Sequence, residues 1–586
     1  MRAQTLTRER EQPPGRFGID ALGERWRWAT PSRLTWIAFG FMLAGGAAFL
    51  LHLTRGTTLW FDDWLWALYR RSGTHSLLTP YNDHFSLVPI LIYRLLFATQ
   101  GIGSYVPYRV LITVGHLLCV TLLFVYARRR VGDYLALVAA ALLLFLGPGW
   151  QNILWPFQIA WVLSVAAGIA ALLALDRRDL PGDGAACLLL AISLACSSVG
   201  VAVAAGLVVA IAWERRNWRN AWIVALPIGL YIVWSLAYQD ASLRSNGIFD
   251  IPLWAARSAA GAVSSLLGLS GQTTSDQQGT ILEFGVPLAL VGLVGALLVA
   301  FRRGLRPRVA ALVTMALAFW ALTAAGRSFI GGTPFASRYL YVDAAFVLLV
   351  AVEVAQGVRL GRPALVLVGV AGVAAVVSNL GVLREAGGYL RSQAPVARAD
   401  LGALEIGRTH LQPGYVANQF PGYPFVVVRA GAYFAMKRSI GSPAYSASQL
   451  PAAPEPALEV ADGELIRVYR LALTPGPAAA VGLGSPPRID AVTGATVVPR
   501  GRCVAYRPAP ITTTSESVTI TLPPSGVSLR GTAPITVSVR RFGQLFHPVA
   551  TLQGGASARL SVPADQAATP WHVQVQSLGP AVMCGA

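Results

Sequence analysis

The fold is decided by the apolar run LTWIAFGFMLAGGAAFLLHL at residues 34–53 and by the segment WFDDW at residues 60–64 that follows it. The run is long enough to cross about 30 Å of hydrocarbon as one helix. The residues before it are polar and lack the cleavage site of a removable signal peptide, so the run predicts an uncleaved signal anchor. Two adjacent carboxylates, Asp62 and Asp63, therefore emerge just beyond the membrane, among tryptophans suited to the lipid–water interface.

The composition of the whole chain is that of an integral membrane protein. Of its 586 residues, 54% are apolar and only 13% are charged, which is far too apolar for a soluble globular protein. The formal net charge of +19 comes from arginines that stand at the ends of apolar runs, which disfavours a nucleic-acid-binding patch. The sequence contains no Walker-type phosphate loop, no HExxH and no CxxC, so an ATP-driven pump, a zinc protease and a thiol oxidoreductase are disfavoured.

Ten further apolar runs predict membrane-spanning helices, which gives eleven spans in total. They lie near residues 104–127, 134–147, 158–175, 185–197, 199–213, 220–238, 285–301, 308–325, 339–357 and 363–383. Arginines cluster in the loops on the side of the N-terminus, so the positive-inside rule places that side in the cytoplasm. The opposite loops, which we expect to face outward, are 54–103, 148–157, 239–284 and 326–338.

The predicted fold class is therefore mostly α, a polytopic transmembrane helical bundle with a C-terminal extracytoplasmic β-rich domain. A cytoplasmic tail covers residues 1–33, the transmembrane domain covers 34–385, and the outer domain covers 386–586. The expected location is the cell membrane, which the chain crosses several times, with a cytoplasmic N-terminus.

The outer domain is predicted from period-two alternation of apolar and polar residues between turn-rich segments. The alternating stretches are 518–522, 535–539 and 571–575. Segment 400–475 is less regular and predicts a mixed α/β region. Cys503 and Cys584 lie in this domain and could pair as a disulfide if it is outside the cytoplasm.

The first outward loop carries the polar side chains most suited to chemistry. An acid pair such as Asp62 and Asp63 often only caps a helix, whereas ionisable residues near a membrane tend to mark function. Adjacent helical residues point about 100° apart, so we expect only one of the two to reach a substrate.

His84, beside Asp83, is a candidate acid/base or acceptor-binding group, with loop bracing as the alternative. Residues 84–97 have amphipathic spacing, which predicts an interfacial helix.

Short motifs recur through the predicted membrane domain. They are Asp62-Asp63, His84-Phe85 with Pro89 and Tyr93-Arg94, Gly115-His116-Leu117-Leu118, Trp155-Pro156-Phe157-Gln158 and Ala336-Ser337-Arg338-Tyr339. Together they resemble the multi-spanning glycosyltransferases of the GT-C class, which include the protein O-mannosyltransferase-like and the actinobacterial mannosyl- and arabinofuranosyltransferase families. The resemblance covers roughly residues 34–385.

This resemblance implies a sugar donor carried on polyprenyl phosphate and an acid in the first outward loop, here Asp62 or Asp63, as general base. It implies inverting transfer of a hexose or pentose to an envelope glycan, lipid or protein on the outer face. A divalent cation on Asp62 or Asp63 is a further option, although two carboxylates alone do not make a metal site.

The leaving phosphate requires fixed positive charge, and arginine suits it because its planar fork can bind two oxygens. The candidates are Arg338 first, then Arg94, Arg327 and Arg109. Arg94 could instead snorkel from an interfacial helix, and Arg338 could anchor the span that it precedes. The remaining candidate substrate-binding residues are His84, Asp83, Trp155 and Gln158.

Two other functions remain open. One is an envelope lipid or polysaccharide transporter or flippase, and the other is a non-catalytic, membrane-anchored glycan-binding protein. A flippase should carry polar groups along the bilayer midplane of several helices. Here the spans are nearly all apolar and charge gathers at one outer face, which favours the enzyme.

Overall fold

The apolar runs form a helical bundle, and the C-terminal part of the chain forms two β-sheets. The computed structural model describes residues 31–215, 218–239, 248–270, 277–417, 427–476, 486–509 and 516–585. The predicted fold class, mostly helical with a β-rich C-terminal region, is confirmed. Most of the predicted cytoplasmic tail, residues 1–30, lies outside the described residues, as do 240–247 and 271–276 of the predicted loop 239–284.

The membrane part is built of helices because a long apolar run can satisfy its backbone polar groups within itself only as a helix. The helices are α1 (Pro31–Leu53), α2 (Asp62–Tyr69), α3 (His75–Leu78), α4 (Leu87–Gln100), α5 (Val106–Leu144), α6 (Trp150–Leu154), α7 (Ile159–Leu175), α8 (Leu180–Cys196), α9 (Val199–Ala210), α10 (Trp222–Tyr238), α11 (Ile251–Leu266), α12 (Gln277–Arg303), α13 (Pro307–Arg327), α14 (Ser337–Ala355) and α15 (Arg362–Ile406). Each of the eleven predicted spans overlaps one of these helices.

The predicted number of eleven spans is not confirmed. Among the described residues, six helices are long and apolar enough to cross a membrane: Ser32–Leu53, Val106–Leu144, Pro156–Leu175, Leu282–Arg303, Pro307–Ile330 and Arg362–Ile406. Part of the difference comes from α5, which contains the predicted spans 104–127 and 134–147 as one element. Gly132 divides it with a φ of 83°, a left-handed conformation that glycine adopts without a steric penalty.

The C-terminal sheets are antiparallel throughout the described residues. Their strands are β1 (Thr474–Pro475), β2 (Arg488–Thr493), β3 (Ala495–Arg500), β4 (Cys503–Pro508), β5 (Ser517–Thr521), β6 (Val527–Gly531), β7 (Ile535–Arg540), β8 (His547–Leu552), β9 (Ser557–Leu560), β10 (His572–Ser577) and β11 (Ala581–Gly585). One sheet has the order β1-β9-β6-β11-β4-β3 and the other β2-β5-β10-β7-β8. The alternating stretches predicted from sequence fall on β5, β7 and β10, whose Val573 and Val575 are fully buried.

A disulfide joins the last strand to the rest of its sheet. Cys503 in β4 and Cys584 in β11 face each other in the antiparallel register and are bonded, with an S–S distance of 2.03 Å. The pairing that the sequence left open is therefore made.

Segment 400–475 differs from the mixed α/β prediction. Its described residues are mostly helical, in the end of α15, in α16 (Ala430–Ile440) and in α17 (Glu455–Tyr469). Ala457, Ala461 and Leu465 recur every four residues along α17 and are fully buried, so this helix is held by one apolar stripe. The predicted domain boundary at 385/386 lies inside α15, and strands begin only at β1.

Candidate active site

The two adjacent aspartates occupy the first turn of α2, close to where α1 ends. Phe61, immediately before them, has a φ of 49°, a left-handed conformation that turns the chain sharply into the helix. Consecutive helical residues point about 100° apart, so the two carboxylates enter different surroundings. Asp63 is fully buried in the protein, whereas Asp62 lines a cavity.

Asp63 connects several elements through its two oxygens. Oδ1 accepts a hydrogen bond from the Tyr93 hydroxyl at 2.7 Å. Oδ2 accepts three more, from the Tyr105 hydroxyl at 2.5 Å, from Trp155 Nε1 at 2.9 Å and from the backbone N–H of Trp60 at 3.1 Å. Burial raises the pKa of Asp63 to about 6, although each of these donors lowers it. Asp63 lies inside α2, whose N-cap is Phe61, and it is fully buried, so it is not a solvated helix cap. It has a structural role, because it ties the start of α2 to α4 and to the residues that open α5.

Asp62 keeps one oxygen available. Its Oδ1 accepts a hydrogen bond of 2.5 Å from the Tyr81 hydroxyl, while Oδ2 meets no donor among the described residues. Burial raises the pKa of Asp62 to about 6; the Tyr81 hydroxyl and the charge of Arg338 act in the opposite direction, and the charge of Asp63 adds to the rise. The carboxylate is thus ionised at neutral pH yet more basic than an ordinary aspartate.

The cavity in front of Asp62 has a volume of about 230 Å³ and is formed by four parts of the chain. These are the start of α2, the loop 79–86, the segment 156–161 that opens α7, and the connection between α13 and α14. Its lining residues are Phe61, Asp62, Trp66, Tyr81, Asn82, His84, Ser86, Phe157, Gln158, Ala160, Trp161, Arg327, Ile330, Arg338 and Tyr339. One carboxylate therefore shares the cavity with two arginines and an aromatic wall.

The two arginines of the cavity differ in the hydrogen bonds and ion pairs that their guanidinium groups make. Arg338, in the first turn of α14, lies over the Tyr339 ring at 5.2 Å from its centroid, and its guanidinium makes no hydrogen bond or ion pair among the described residues. Arg327, at the end of α13, donates to the Asn82 carbonyl at 2.8 Å and pairs with Asp83 at 3.3 Å. Arg338 is therefore the cation that an incoming anion could engage.

Arg94 and Arg109, the other predicted phosphate-binding arginines, do not line the cavity. Arg94 donates to the backbone carbonyls of Arg70 at 2.9 Å and Gly73 at 2.6 Å. Arg109 donates to Thr54 Oγ1 at 3.0 Å. Arg94 holds the segment that follows α2, and Arg109 holds the end of α1, so their positions fit structural roles.

The loop 79–86 presents Tyr81 and His84 on the same side. The two residues exchange backbone hydrogen bonds of 3.0 Å and 2.9 Å, which closes a tight turn. Asn82 and Asp83 form the tip of that turn with positive φ values of 48° and 68°, a conformation that Asn and Asp tolerate better than most residues. Asp83 is exposed and reaches Arg327 and not the cavity, so the structure does not bring this predicted residue into contact with Asp62.

His84 lines the cavity as a neutral imidazole. Its Nδ1 lies 2.6 Å from Ser198 Oγ at the start of α9, which holds the ring in place. Burial lowers the pKa of His84 to about 3, and the charges of Arg327 and Arg338 lower it further. At physiological pH the ring can therefore exchange hydrogen bonds with a bound hydroxyl, but it does not act as a cationic acid.

Trp155 and Gln158 have different positions although both belong to the same sequence motif. Trp155 lies behind the cavity, where it bonds to Asp63 and stacks on Phe157 at 5.1 Å. Gln158 lines the cavity and is 2% exposed, and its Oε1 is buried with no hydrogen-bond donor among the described residues. An unsatisfied buried amide oxygen of this kind is ready to accept from a ligand.

Tyr81 and Trp161 are two of the lining residues that the sequence analysis did not predict as site residues. Tyr81 stands in the polar stretch that contains His84, and only the fold shows that its hydroxyl meets Asp62. Trp161 follows Gln158 by three residues, which is nearly one helical turn, so helical spacing could have indicated it. Its ring lies edge-on to His84 at 5.6 Å and offers a face of the kind on which sugars stack.

Among the described residues, no three His, Cys, Asp or Glu side chains come close enough together to hold a metal ion. A cation in the cavity would meet Asp62 alone among carboxylates, because Asp63 is turned away from it. The two aspartates therefore do not form a joint pair of ligands.

No protein-family model matches the sequence, and no curated protein matches it. Several solved structures are similar to this chain, and three of them are described here. ArnT from Cupriavidus metallidurans in the apo state has 14% identity and a TM-score of 0.42, over 70% of this chain and 90% of that one. The same protein bound to undecaprenyl phosphate has 16% identity and a TM-score of 0.40, over 64% and 81%. The Archaeoglobus fulgidus oligosaccharyltransferase in complex with Zn and sulfate has 15% identity and a TM-score of 0.35, over 59% and 53%. These values assign neither a family nor an activity to the chain.

Proposed function

We propose that this chain is a membrane glycosyltransferase that moves a sugar from a polyprenyl-phosphate donor to a hydroxyl group of a cell-envelope glycan, lipid or protein. One observation carries the proposal: Asp62 and Arg338 line the same cavity at one end of a helical bundle, and within the described part of the chain Asp62 Oδ2 meets no donor and the Arg338 guanidinium no acceptor. Transfer from a lipid phosphate needs a base for the acceptor and a cation for the leaving group, and this cavity offers both.

Asp62 is the general base of the proposed reaction. The acceptor hydroxyl oxygen forms a bond to the anomeric carbon while its proton passes to Asp62 Oδ2, and the bond from that carbon to the phosphate oxygen breaks. General-base catalysis of this kind contributes about 10²- to 10⁴-fold. A base with a pKa of about 6 suits the role, because it is ionised at neutral pH and still attracts a proton in the transition state.

Arg338 receives the leaving polyprenyl phosphate. The electron pair of the broken bond stays on the phosphate oxygen, so negative charge grows there as the sugar departs. A fixed guanidinium stabilises that charge through hydrogen bonds that shorten and strengthen with it. Arg327 adds positive charge nearby, while its bonds to the loop 79–86 keep that loop in place.

The sugar is held by neutral groups of the same cavity. Gln158 Oε1 and the neutral His84 ring are positioned to bond sugar or acceptor hydroxyls, and Trp161 offers an apolar face. Neutral donors and acceptors suit a sugar, which carries many hydroxyl groups and no charge of its own.

A second, apolar cavity supports a donor with a lipid tail. It has a volume of about 410 Å³ and lies between α8 and α10, on the far side of the loop that carries Tyr81 and His84. Leu78 at the end of α3 and Phe85 of that loop contribute to its lining, and Phe85 stacks on Trp234 at 4.5 Å. One loop thus separates a polar cavity from an apolar one. A polyprenyl-phosphate sugar would place its sugar and phosphate in the polar cavity and its hydrocarbon chain in the apolar one.

The outer face of the membrane is part of the proposal. The disulfide between Cys503 and Cys584 supports it, because such bonds persist in oxidising compartments outside the cytoplasm. The test is a cysteine introduced at the exposed Asp250, at the start of α11, in intact cells. We expect a membrane-impermeant maleimide to label this cysteine without lysis. Labelling only after lysis would place the cavity on the cytoplasmic side and contradict the proposal.

The activity is tested with purified full-length protein in nanodiscs and synthetic polyprenyl-phosphate sugars, by measuring the release of polyprenyl phosphate. Asp62→Asn should lower release at least about 100-fold, since the base is lost. Asp250→Asn, which changes an exposed acid outside the cavity, is the matched control and should release at the wild-type rate. Release that is equal in both variants contradicts the role of Asp62.

A flippase would move the intact donor, and a glycan-binding scaffold would bind without release, so absence of release with every donor contradicts the enzyme.

A further inference from the structure

A third cavity, of about 670 Å³, lies at the end of the bundle opposite to the candidate active site. α7 connects the two ends: it begins beside Gln158 in the active-site cavity and ends next to Asp176, which lines this one. Its 17 residues span about 26 Å at 1.5 Å per residue. The cavity is therefore a separate site, at the end of the helices where the positive-inside rule places the cytoplasm.

The carboxylates of this cavity are already engaged by two of its arginines. Arg130 bonds to Glu353 and pairs with Asp176 at 3.1 Å. Arg308 pairs with the same Asp176 at 3.1 Å and with Glu214 at 3.0 Å. The network joins the middle of α5, next to its break at Gly132, to the end of α7, the start of α13 and the end of α14.

Positive charge remains after this pairing. Five arginines and three carboxylates line the cavity, which leaves a formal charge of +2 in its lining. Arg308 Nη1 is buried and has no acceptor among the described residues. Arg129 and Arg178 also line the cavity, and neither guanidinium group makes a hydrogen bond or an ion pair with a described residue. A buried cationic N–H without an acceptor is unfavourable unless a ligand supplies one.

We propose that this cavity binds a phosphate group, which accepts hydrogen bonds from Arg308 Nη1, Arg129 and Arg178. The net positive lining disfavours a metal cation, and guanidinium groups bind phosphate oxygens in pairs. Trp213 lines the cavity and is 40% exposed, as is common for tryptophans at the depth of lipid headgroups. The phosphate can therefore come from an anionic lipid headgroup of the adjoining leaflet or from a soluble phosphate compound, which share this chemistry.

The test compares two probes on the purified full chain in nanodiscs of phosphatidylcholine: inorganic phosphate, and short-chain phosphatidic acid added to the nanodisc. Binding is measured by calorimetric titration for the wild type, Arg129→Gln, Arg178→Gln and Arg177→Gln. Arg177 is the matched control, because it precedes Arg178, is 58% exposed and pairs with Asp179 outside the cavity. Each cavity variant should lose about tenfold in affinity, which corresponds to one charge-assisted hydrogen bond.

The outcomes distinguish the two sources of the phosphate group, a lipid headgroup and a soluble phosphate compound. Tight binding of phosphatidic acid with weak binding of phosphate assigns the site to a lipid headgroup, and comparable affinities assign it to a soluble phosphate. Equal losses in Arg178→Gln and Arg177→Gln, or no binding of either probe, overturn the proposal. A second measurement needs no variant: in the wild type, the bound probe should slow hydrogen exchange in residues 126–131 and 175–180. Unchanged exchange there under saturating probe also overturns it.

Discussion

The Tyr81 hydroxyl donates a hydrogen bond of 2.5 Å to Oδ1 of Asp62, a residue that lines the cavity, and no described residue donates to Oδ2. This contact orients the carboxylate, because one oxygen is held and the other is free. It also stabilises the ionised form, so the tyrosine and the charge of Arg338 together limit the rise in pKa that burial imposes on Asp62.

Tyr81→Phe should shift the pH dependence of transfer. The variant removes a hydrogen bond to the ionised carboxylate, so the pKa of Asp62 rises from about 6 by about one further unit. Because the ionised form is the active one, the acid limb of kcat/KM should move to higher pH by the same amount. The profile is measured by polyprenyl phosphate release across the neutral range. Tyr69→Phe, which alters an exposed tyrosine of α2, should leave the limb in place, and an unmoved limb in Tyr81→Phe contradicts the assignment.

Asp62→Asn should be inactive but more stable than the wild type at neutral pH. The pKa of Asp62 is raised in the folded protein above its unfolded value of 3.8, so the folded state gains stability as pH falls through about 6 towards 4. Above pH 6 the buried charge is a cost that asparagine avoids, worth about 1–3 kcal/mol. The check is the difference in thermal unfolding between the two proteins at pH 7.5 and pH 4.5. The difference should shrink on acidification, and one that grows would show that the charge is stabilising.

Arg338→Gln should lower transfer by about 100-fold, since the leaving phosphate loses its cation. The loss should appear chiefly in kcat, because the charge on the phosphate grows in the transition state. The acid limb should also move to higher pH, since the guanidinium lowers the pKa of Asp62. Arg257→Gln, on an exposed position of α11, is the control. A purely anchoring role for Arg338 would instead reduce thermal stability and leave the pH profile unchanged.

Reduction of the Cys503–Cys584 disulfide should loosen the β-rich region selectively. The bond closes a loop with a sequence separation of 81 residues, for which the chain-entropy model gives about 4 kcal/mol. Limited proteolysis with and without reductant should show cleavage among β2–β11 only after reduction. The double variant Cys503→Ser/Cys584→Ser should behave as the reduced protein under both conditions. Equal protease resistance before and after reduction would mean that the sheets do not depend on the bond.

The helical part of the fold could be predicted because apolar length is a local property of the sequence. The residues near 104–127 and 339–357, for example, lie in α5 and α14 as expected. Where the sequence turns polar, after residue 383, the prediction ended the helix, but α15 continues to Ile406 because Leu390, Leu401 and Leu404 bury one face. A stripe of this kind is weaker than a fully apolar run, and its burial depends on elements that lie far away in the chain.

The candidate site was predictable in its parts but not in its assembly. Asp62 and Asp63 are identical in type and adjacent, so only their burial and partners distinguish a cavity carboxylate from a structural one. Arg338 and Arg94 likewise differ in what surrounds them, since one faces the cavity and the other bonds to backbone carbonyls. The contact between Tyr81 and Asp62 depends on how the loop 79–86 closes, which residue types alone do not determine.

α15 runs from the membrane part into the C-terminal region as one element of 45 residues, about 68 Å long at 1.5 Å per residue. One residue inserted into this helix would rotate the C-terminal residues by about 100° about the helix axis. The length of this helix therefore sets the distance and the angle at which the residues after Ile406 begin.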